Sequence, residues 1–432
     1  MTAPAVHAAG SDEIKIALVG CGGRGGGALM QALETKGAKK LVAVADLQEN
    51  KMQNIVKAAA EKFKDRLDVK IDVPRDFMFA GFDGYKHAID AVGPGGVVLL
   101  ATWPNFRPPH FEYAVEKGLH IFSEKSFGVD SPGIRRILKA AEAAKQKNLK
   151  IVSGLMSRHV PGLQEMMQRI HDGAIGEIVA CWHWRMQGSA VPSSQKQGET
   201  LLQYQLRNHS SFKWTNGSLF LDNCVHDLDL CCWAKGSYPV SAQGMGGRQT
   251  RNAKCNQFDH CAIEYTFADG TRMQAQARFM SNCWNKFCSE IHGSTGSALM
   301  GSGSGRKHPT LWKGYKTWNG NKAAGENVIW QAEKNKFTGG YQEEHNDLFE
   351  SIRNDTPRNE TEYSCYATLT GVMGRLAFES GRVITWDEAL NWEKSLCPNI
   401  DSITWDSQPP VLPDKDGNYP IVVPGETKAE LI

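Results

Sequence analysis

No apolar run in this 432-residue chain is long enough to span a bilayer as a helix. Strong charge of one sign is missing too. The formal balance is +2 at pH 7, so neither a nucleic acid nor an anionic membrane surface is an expected partner. The 11 cysteines contain no paired CxxC spacing, which argues against a zinc ribbon, and their scatter forms no disulfide framework. Cys21 lies in a glycine-rich turn, Cys224, Cys231 and Cys232 along one expected helix, and Cys283 and Cys288 in a strand region. Buried small hydrophobes in a chain folded under reducing conditions fit this pattern. There is no internal repeat. What remains is ordinary globular composition, 41% hydrophobic and 22% charged, at a length that favours two domains.

The most informative segment runs from Ile14 through Gly20, Cys21, Gly22, Gly23, Arg24 and Gly25 to Asp46. It reads as a buried strand, a glycine turn opening a helix, and a second buried strand ending in an acid. Gly20 allows a sharp turn, Gly22 allows close approach of a pyrophosphate, and Gly25 allows the helix to pack on the strand. The helix N-terminus offers unpaired N–H groups and partial positive charge to phosphates. Asp46 can accept both adenosine ribose hydroxyls and would repel a 2′-phosphate, which favours NAD over NADP.

Strands and amphipathic helices alternate to about residue 155, as a doubly wound parallel sheet requires. Ser131-Pro132 is expected to cap and open one of these helices. Strand-like runs then follow at 175–185, 240–246, 259–267, 271–279, 288–292 and 298–300, with Asp269-Gly270 as a hairpin turn. The fold class expected is an α/β Rossmann domain plus an α+β C-terminal domain with a large, mostly antiparallel open sheet. The expected divisions are a tail at 1–12, an NAD-binding domain at 13–155, a substrate-binding and oligomerisation domain at 156–395, and a C-terminal arm at 396–432. Residues 301–340, polar and rich in Gly, Lys and Trp, read as a long surface excursion. The small-residue run at 3–10, with Val6-His7-Ala8, resembles the end of a secretory signal or is a disordered tail. The first alternative implies a periplasmic or exported protein, the second allows a cytoplasmic one.

Three constellations can carry chemistry. Thr102, Trp103, Asn105 and His110 follow a buried strand, where ligands of such sheets bind. Glu124 and Lys125 follow the next strand; a structural ion pair is the plainer alternative. Asp222 and His226 share one helical face, with Asp229 one turn further. Two carboxylates flanking an imidazole suit proton transfer or a metal, while Asp222 could simply cap the helix. A zinc site at Asp222, His226 and His345 is the weaker alternative; no metal is expected. Polar and aromatic residues suited to carbohydrate include Arg158, His159, Trp182, His183, Trp184, Arg185, Tyr204, Arg207, Asn208, His209 and Trp214, with Arg207 and His209 favoured.

In this order of motifs the chain resembles the Gfo/Idh/MocA family of NAD(P)-dependent oxidoreductases over about residues 14–395. The late segments, including Glu344-His345-Asn346-Asp347 and Gly374-Arg375, look most like exported members from planctomycete-type bacteria, many of which begin with a twin-arginine signal. The resemblance implies that Lys125, Asp222 and His226 are catalytic. It implies oxidation of a sugar hydroxyl with NAD, with His226, or Lys125 acting with it, taking the proton, and Asp222 orienting the imidazole or binding a hydroxyl. It also implies that Gly20, Gly22, Gly23, Arg24, Gly25, Asp46, Thr102, Trp103, Asn105, His110 and Glu124 serve the cofactor. Lys125, Arg158, Arg207, His209, Asp222 and His226 would serve the substrate. The family usually has proline after the lysine, where this chain has Ser126. Arg24 is similar to a branch containing NAD-dependent glycosidases, in which transient oxidation, elimination, water addition and re-reduction give net hydrolysis. A non-catalytic sugar or cofactor sensor is a further alternative. A homodimer or homotetramer is expected, because the open sheet face needs covering.

Overall fold

The structure, a computed structural model, describes residues 13–188, 191–252, 254–300, 308–314, 327–336, 339–428 and 431–432. The first stretch alternates β1 (Ile14–Val19), α1 (Gly23–Glu34), β2 (Lys39–Asp46), α2 (Glu49–Lys62), β3 (Val69–Ile71), β4 (Met78–Ala80), α3 (Gly84–Val92), β5 (Val97–Leu100), α4 (Arg107–Glu116), β6 (His120–Ser123), α5 (Ser131–Gln146) and β7 (Ile151–Ser153). The strands form a parallel sheet in the order β3-β2-β1-β5-β6-β7, with β4 also on β2. Ile16, Leu18, Val98 and Leu99 are fully buried, as strands covered on both faces must be. Val19 pairs with Ala45 on one side and Leu100 on the other. The chain order therefore reverses at β1, and the crevice beyond its carboxyl end is where such sheets bind ligands.

The second stretch holds α6 (Pro161–His171), β8 (Ile178–Gln187), α7 (Leu201–Arg207), α8 (Lys213–Asn216), α9 (Leu219–Lys235), β9 (Ser241–Gly247), β10 (His260–Thr266), β11 (Arg272–Phe279), β12 (Lys286–Gly293), β13 (Gly296–Met300), β14 (Thr310–Lys313), β15 (Val328–Gln331), α10 (Tyr341–Arg353), α11 (Thr361–Ser380), β16 (Ile384–Thr385) and α12 (Trp386–Asn391). Its strands form a nine-stranded sheet in the order β15-β14-β13-β12-β8-β11-β10-β9-β16. The β8–β11 pair is parallel and the other pairs are antiparallel. The expected fold class is the observed one. Helices α9 and α11 pack together and cover one face of this sheet. The other face carries Trp182, Trp184 and Met245, the last 74% exposed.

Local expectations needed four corrections. Asp130, not Ser131, caps α5, its side chain accepting from Gly133 N at 2.9 Å. Part of the expected surface excursion is strand: Leu311 and Trp312 are buried in β14 and extend the sheet, because these apolar side chains gain more from burial than from solvent. Cys283 lies in an exposed turn before β12, while the other cysteines are buried; all are free thiols. Helix α10, placed by sequence in the second unit, returns to the first. Leu348, Phe349 and Ile352 pack with Ile16, Leu29 and Leu33. The proline-rich tail packs as an arm, with Cys397, Ile403 and Tyr419 in one apolar cluster with Phe212 and Trp214. The signal-like run at 3–10 lies outside the described residues, as does most of 301–326. Among the described residues no helix is long and apolar enough to cross a membrane.

Candidate active site

The glycine turn forms the floor of a cavity of about 580 Å³. Gly20 has φ +98°, and a Cβ there would stand 2.7 Å from the Ala101 carbonyl carbon. A Cβ on Gly25 would meet Gly20 O at 1.8 Å, which is the close packing of helix on strand expected for that position. Gly22 is the N-cap of α1 with no side-chain cap. A Cβ on Gly22 or Gly23 would meet no protein atom within 4 Å, so bare N–H groups face open space, as an anion site requires. Asp46 ends β2 with its carboxylate oriented by two backbone donors, Cys21 N at 2.7 Å and Gln48 N at 2.9 Å. Thr102, Trp103 and His110 line the same cavity. His110 stacks on Tyr85 at 4.0 Å. Burial, then the Arg107 charge, lowers its imidazole to about 3, so it is neutral. An elongated cavity with a phosphate cradle at its glycine turn and an acid at the second strand end fits a dinucleotide.

At the far end Trp103 stacks on His209, ring centroids 4.7 Å apart. Electrostatically, His209 is coupled to Asp222 and Lys125. Lys125 leaves β6 and crosses to α9, where its ammonium donates to Asp222 Oδ1 at 2.8 Å and to the Asp222 carbonyl at 2.6 Å. Burial works against the Asp222 carboxylate, but the Lys125 charge and hydrogen bond outweigh it and hold it below the usual carboxylate range. One turn on, burial and then the charges of Lys125 and Arg185 lower His226 to about 3, against an opposing pull from Asp222. The imidazole is therefore neutral. Its Nδ1 is buried without a partner, while the side chain as a whole is half-buried. Asp222 thus positions Lys125 and does not orient the imidazole; its capping role belongs to Ser218, which accepts from Leu221 N. The Lys125–Ser126 peptide is cis. Although serine stands where the related family has proline, Ser126 O is anchored by Arg107 Nη1 at 2.6 Å, and the same guanidinium also donates to Thr102 O. Buried Arg107 ties the two strand-end loops together.

Other expected residues fall elsewhere. Arg158 is bidentate to Asp229, at 2.8 and 2.7 Å, and its guanidinium lies over Trp233 and Tyr363, so it is a packing residue and not a sugar ligand. Asn105 turns away from the glycine-turn cavity and lines a smaller one beneath the arm, beside Asp130 and Cys397. Arg24 does not reach into the main cavity: it pairs with Glu124 at 2.7 Å and lies over Tyr341. Glu124 is thereby engaged behind the turn. Arg207 does line the cavity, locked to Glu199 at 2.6 Å. Trp182 and Trp184 are on the far sheet face against His292 and Lys286. Trp214 is buried with Nε1 donating to Gln205 at 2.6 Å; Tyr204 shares its apolar cluster, and Asn208 Oδ1 accepts from Ser193 N at 2.9 Å. His159 is buried between Asp347 and Glu360, and His183 is buried near Asp227. His345 packs on Phe122, and no group of three side chains that could hold a metal is found among the described residues.

Several residues were not singled out in advance. Lys51, Phe82 and Tyr85 line the cavity from the parallel-sheet side, and Glu199 and Trp405 close it from the other parts of the chain. Lys51, in the first turn of α2, could have been inferred from its nearness in sequence to Asp46. Trp405 could not, because its contact with Phe82 at 4.8 Å depends on the path of an irregular arm.

Comparison with known proteins finds similarity in sequence and in fold. Residues 163–299 match the GFO/IDH/MocA C-terminal domain. The chain is 29% identical over 165 residues to the rhizopine catabolism protein MocA of Rhizobium meliloti, covering 37% of this chain and 45% of that protein. The match thus spans less than half the length of that relative. It is 22% identical over 359 residues to an inositol 2-dehydrogenase of Pseudomonas savastanoi pv. phaseolicola, covering 82% and 90%. In fold it is similar to scyllo-inositol dehydrogenase from Lactobacillus casei solved with bound NAD(H) and scyllo-inositol, with a TM-score of 0.61, 20% identity, and coverage of 87% and 100%.

Proposed function

We propose that the chain, whose residues 163–299 match the GFO/IDH/MocA C-terminal domain, is a member of the Gfo/Idh/MocA family and transfers a hydride between NAD and a hydroxyl-bearing carbon of a sugar, glycoside or cyclic polyol. The observation that carries this reading is the Lys125–Asp222–His226 group. It joins a salt-bridged ammonium to a neutral imidazole and connects through His209 and Trp103 to the dinucleotide-shaped cavity. NAD, when bound, supplies the hydride acceptor. Gly20, Gly22 and the N-terminus of α1 would hold its pyrophosphate, and Asp46 its adenosine ribose. Neutral His226 takes the hydroxyl proton at Nε2 as the C–H bond is broken, and returns it in the reverse direction. Lys125, held by Asp222, donates to the substrate oxygen and fixes its position. The test is reduction of NAD by the purified protein with a panel of inositols, aldoses and glycosides. Appearance of reduced nicotinamide with at least one supports the reading, and silence across the panel rejects it.

One observation favours a second reading. The cavity is walled by Lys196–Glu199 and Arg207 and by Trp405, all from outside the parallel sheet, an arrangement suited to retaining a cofactor through a closed redox cycle. On that reading the enzyme is a redox glycosidase. Release of the aryl group from aryl glycosides without net NADH would support it, and stoichiometric NADH without release would reject it. The sheet face carrying Trp182, Trp184 and Met245 is proposed to be covered by a second copy of the chain. A monomeric mass by light scattering would reject that assembly.

A further inference from the structure

Arg185 lies near His226 and has no carboxylate partner among the described residues. In β8 it lies opposite Phe287 of β12, on the same face as His183 and Gln187. That face meets α9: His183 comes to 4.0 Å of Asp227, and Gln187 donates to Asn223 Oδ1 at 3.3 Å. Arg185, between them, is thus set against the turn of α9 that carries Asp222 and His226, and its charge reaches the His226 ring. The guanidinium is stacked on Phe287, 3.5 Å from the ring centroid. Its Nε is buried without a hydrogen-bond partner, and it makes no ion pair with a described carboxylate. The carboxylate of that turn, Asp222, is already engaged by Lys125.

A cation in such a place is costly to keep unpaired. Arg158, on the same sheet side, shows the alternative, with both its partner carboxylate and its aromatic cover supplied by the protein. For Arg185 the aromatic cover is present and the carboxylate is absent. We infer that the substrate supplies it: the sugar or polyol oxidised here carries a carboxylate, gripped by the Arg185 fork beside His226. A planar guanidinium pre-ordered on a ring binds a carboxylate through two parallel hydrogen bonds and so fixes the orientation of the sugar as well as its charge. Lys125 and His226 are then left free for the hydroxyl.

This inference rests on the sugar-oxidoreductase reading for the identity of the site, but its test is binding. The NAD-loaded protein is titrated by calorimetry with D-glucuronate and D-galacturonate, each against D-glucose and D-galactose. At least one acidic sugar should bind more tightly than its neutral partner. Arg185→Gln should weaken that acidic sugar roughly 10- to 100-fold, with Arg185→Lys in between and the neutral sugar unchanged. Thermal unfolding of each variant checks that the fold is kept. Acid-selective binding without any NAD reduction would leave this inference standing while the redox reading fell. Neutral sugars binding as well as the acids, or Arg185→Gln leaving the preference intact, would overturn it whatever the turnover.

Discussion

Helix α9 holds two acid–base pairs of the same chemistry, two turns apart, and they do different things. At its N-terminal end Asp222 holds Lys125, with side chains 33% and 22% exposed. Further along Asp229 holds Arg158, 1% and 16% exposed, beneath Trp233 and Tyr363. The first pair is part-exposed, and on the proposed reading a substrate competes there for the ammonium. The second is sealed, bidentate and part of the packing between α9 and α11. Charge type and helical spacing do not separate a working pair from a structural one. Exposure does, together with what lies beyond the pair: a neutral imidazole and a cavity in one case, aromatic rings in the other.

The contrast can be broken by mutation. Lys125→Met should lower turnover the most, by about 10⁴-fold, while NAD titration is unchanged; near-normal turnover would place Lys125 among the structural residues. Arg158→Ala should do the reverse. Removing one partner of a buried pair costs about 3–5 kcal/mol, read as a lower denaturation midpoint, with the activity of the folded fraction kept. His226→Asn should cost about 10²- to 10³-fold in turnover with no comparable loss of stability.

A pH measurement sharpens the same division. His159, next to Arg158, is buried, which alone would lower it, but Glu360 and Asp347 override this and raise it from 6.5 to about 10. A raised folded value means that its contribution is whole below pH 6.5 and is lost as pH climbs towards 10. Glu360 is resisted by burial but pulled down by His159, from 4.5 to about 2. Its contribution is whole above 4.5 and is lost as pH falls towards 2. Denaturant titrations of His159→Gln should therefore show a flatter fall in stability between pH 6.5 and 10 than the parent. The smallest effect is expected on the cofactor side: Asp46→Ser should relax discrimination against NADP by about tenfold, measured as the ratio of the two binding constants.

The parallel sheet, the glycine turn and Asp46 were legible in the sequence because each sits at a strand end, and Asp222 and His226 because they share one helical turn; Lys125, 97 residues from Asp222, was joined to them only by the family resemblance. Arg158, Asn105 and Arg24 were misplaced because their backbones do lie near the site while their side chains turn to partners fixed only by the tertiary fold: Asp229, the arm, and Glu124. Trp405 and the 196–199 segment were missed because irregular chain has no period to read. Strand β14 was hidden in a polar stretch where the buried Leu311 and Trp312 outweighed the surrounding composition, and the part-exposed β15 pairs onto it.

The central claim is that the group at the open end of α9 moves a proton while hydride passes to NAD. The most direct measurement is single-turnover nicotinamide reduction with a carbon-deuterated substrate from the active panel, in the parent and in Lys125→Met. The account predicts deuterium on the reduced nicotinamide and a slowed rate in the parent, with loss of that transfer but intact NAD binding in the variant. Deuterium absent from the nicotinamide, or transfer at the parent rate in the variant, would contradict it.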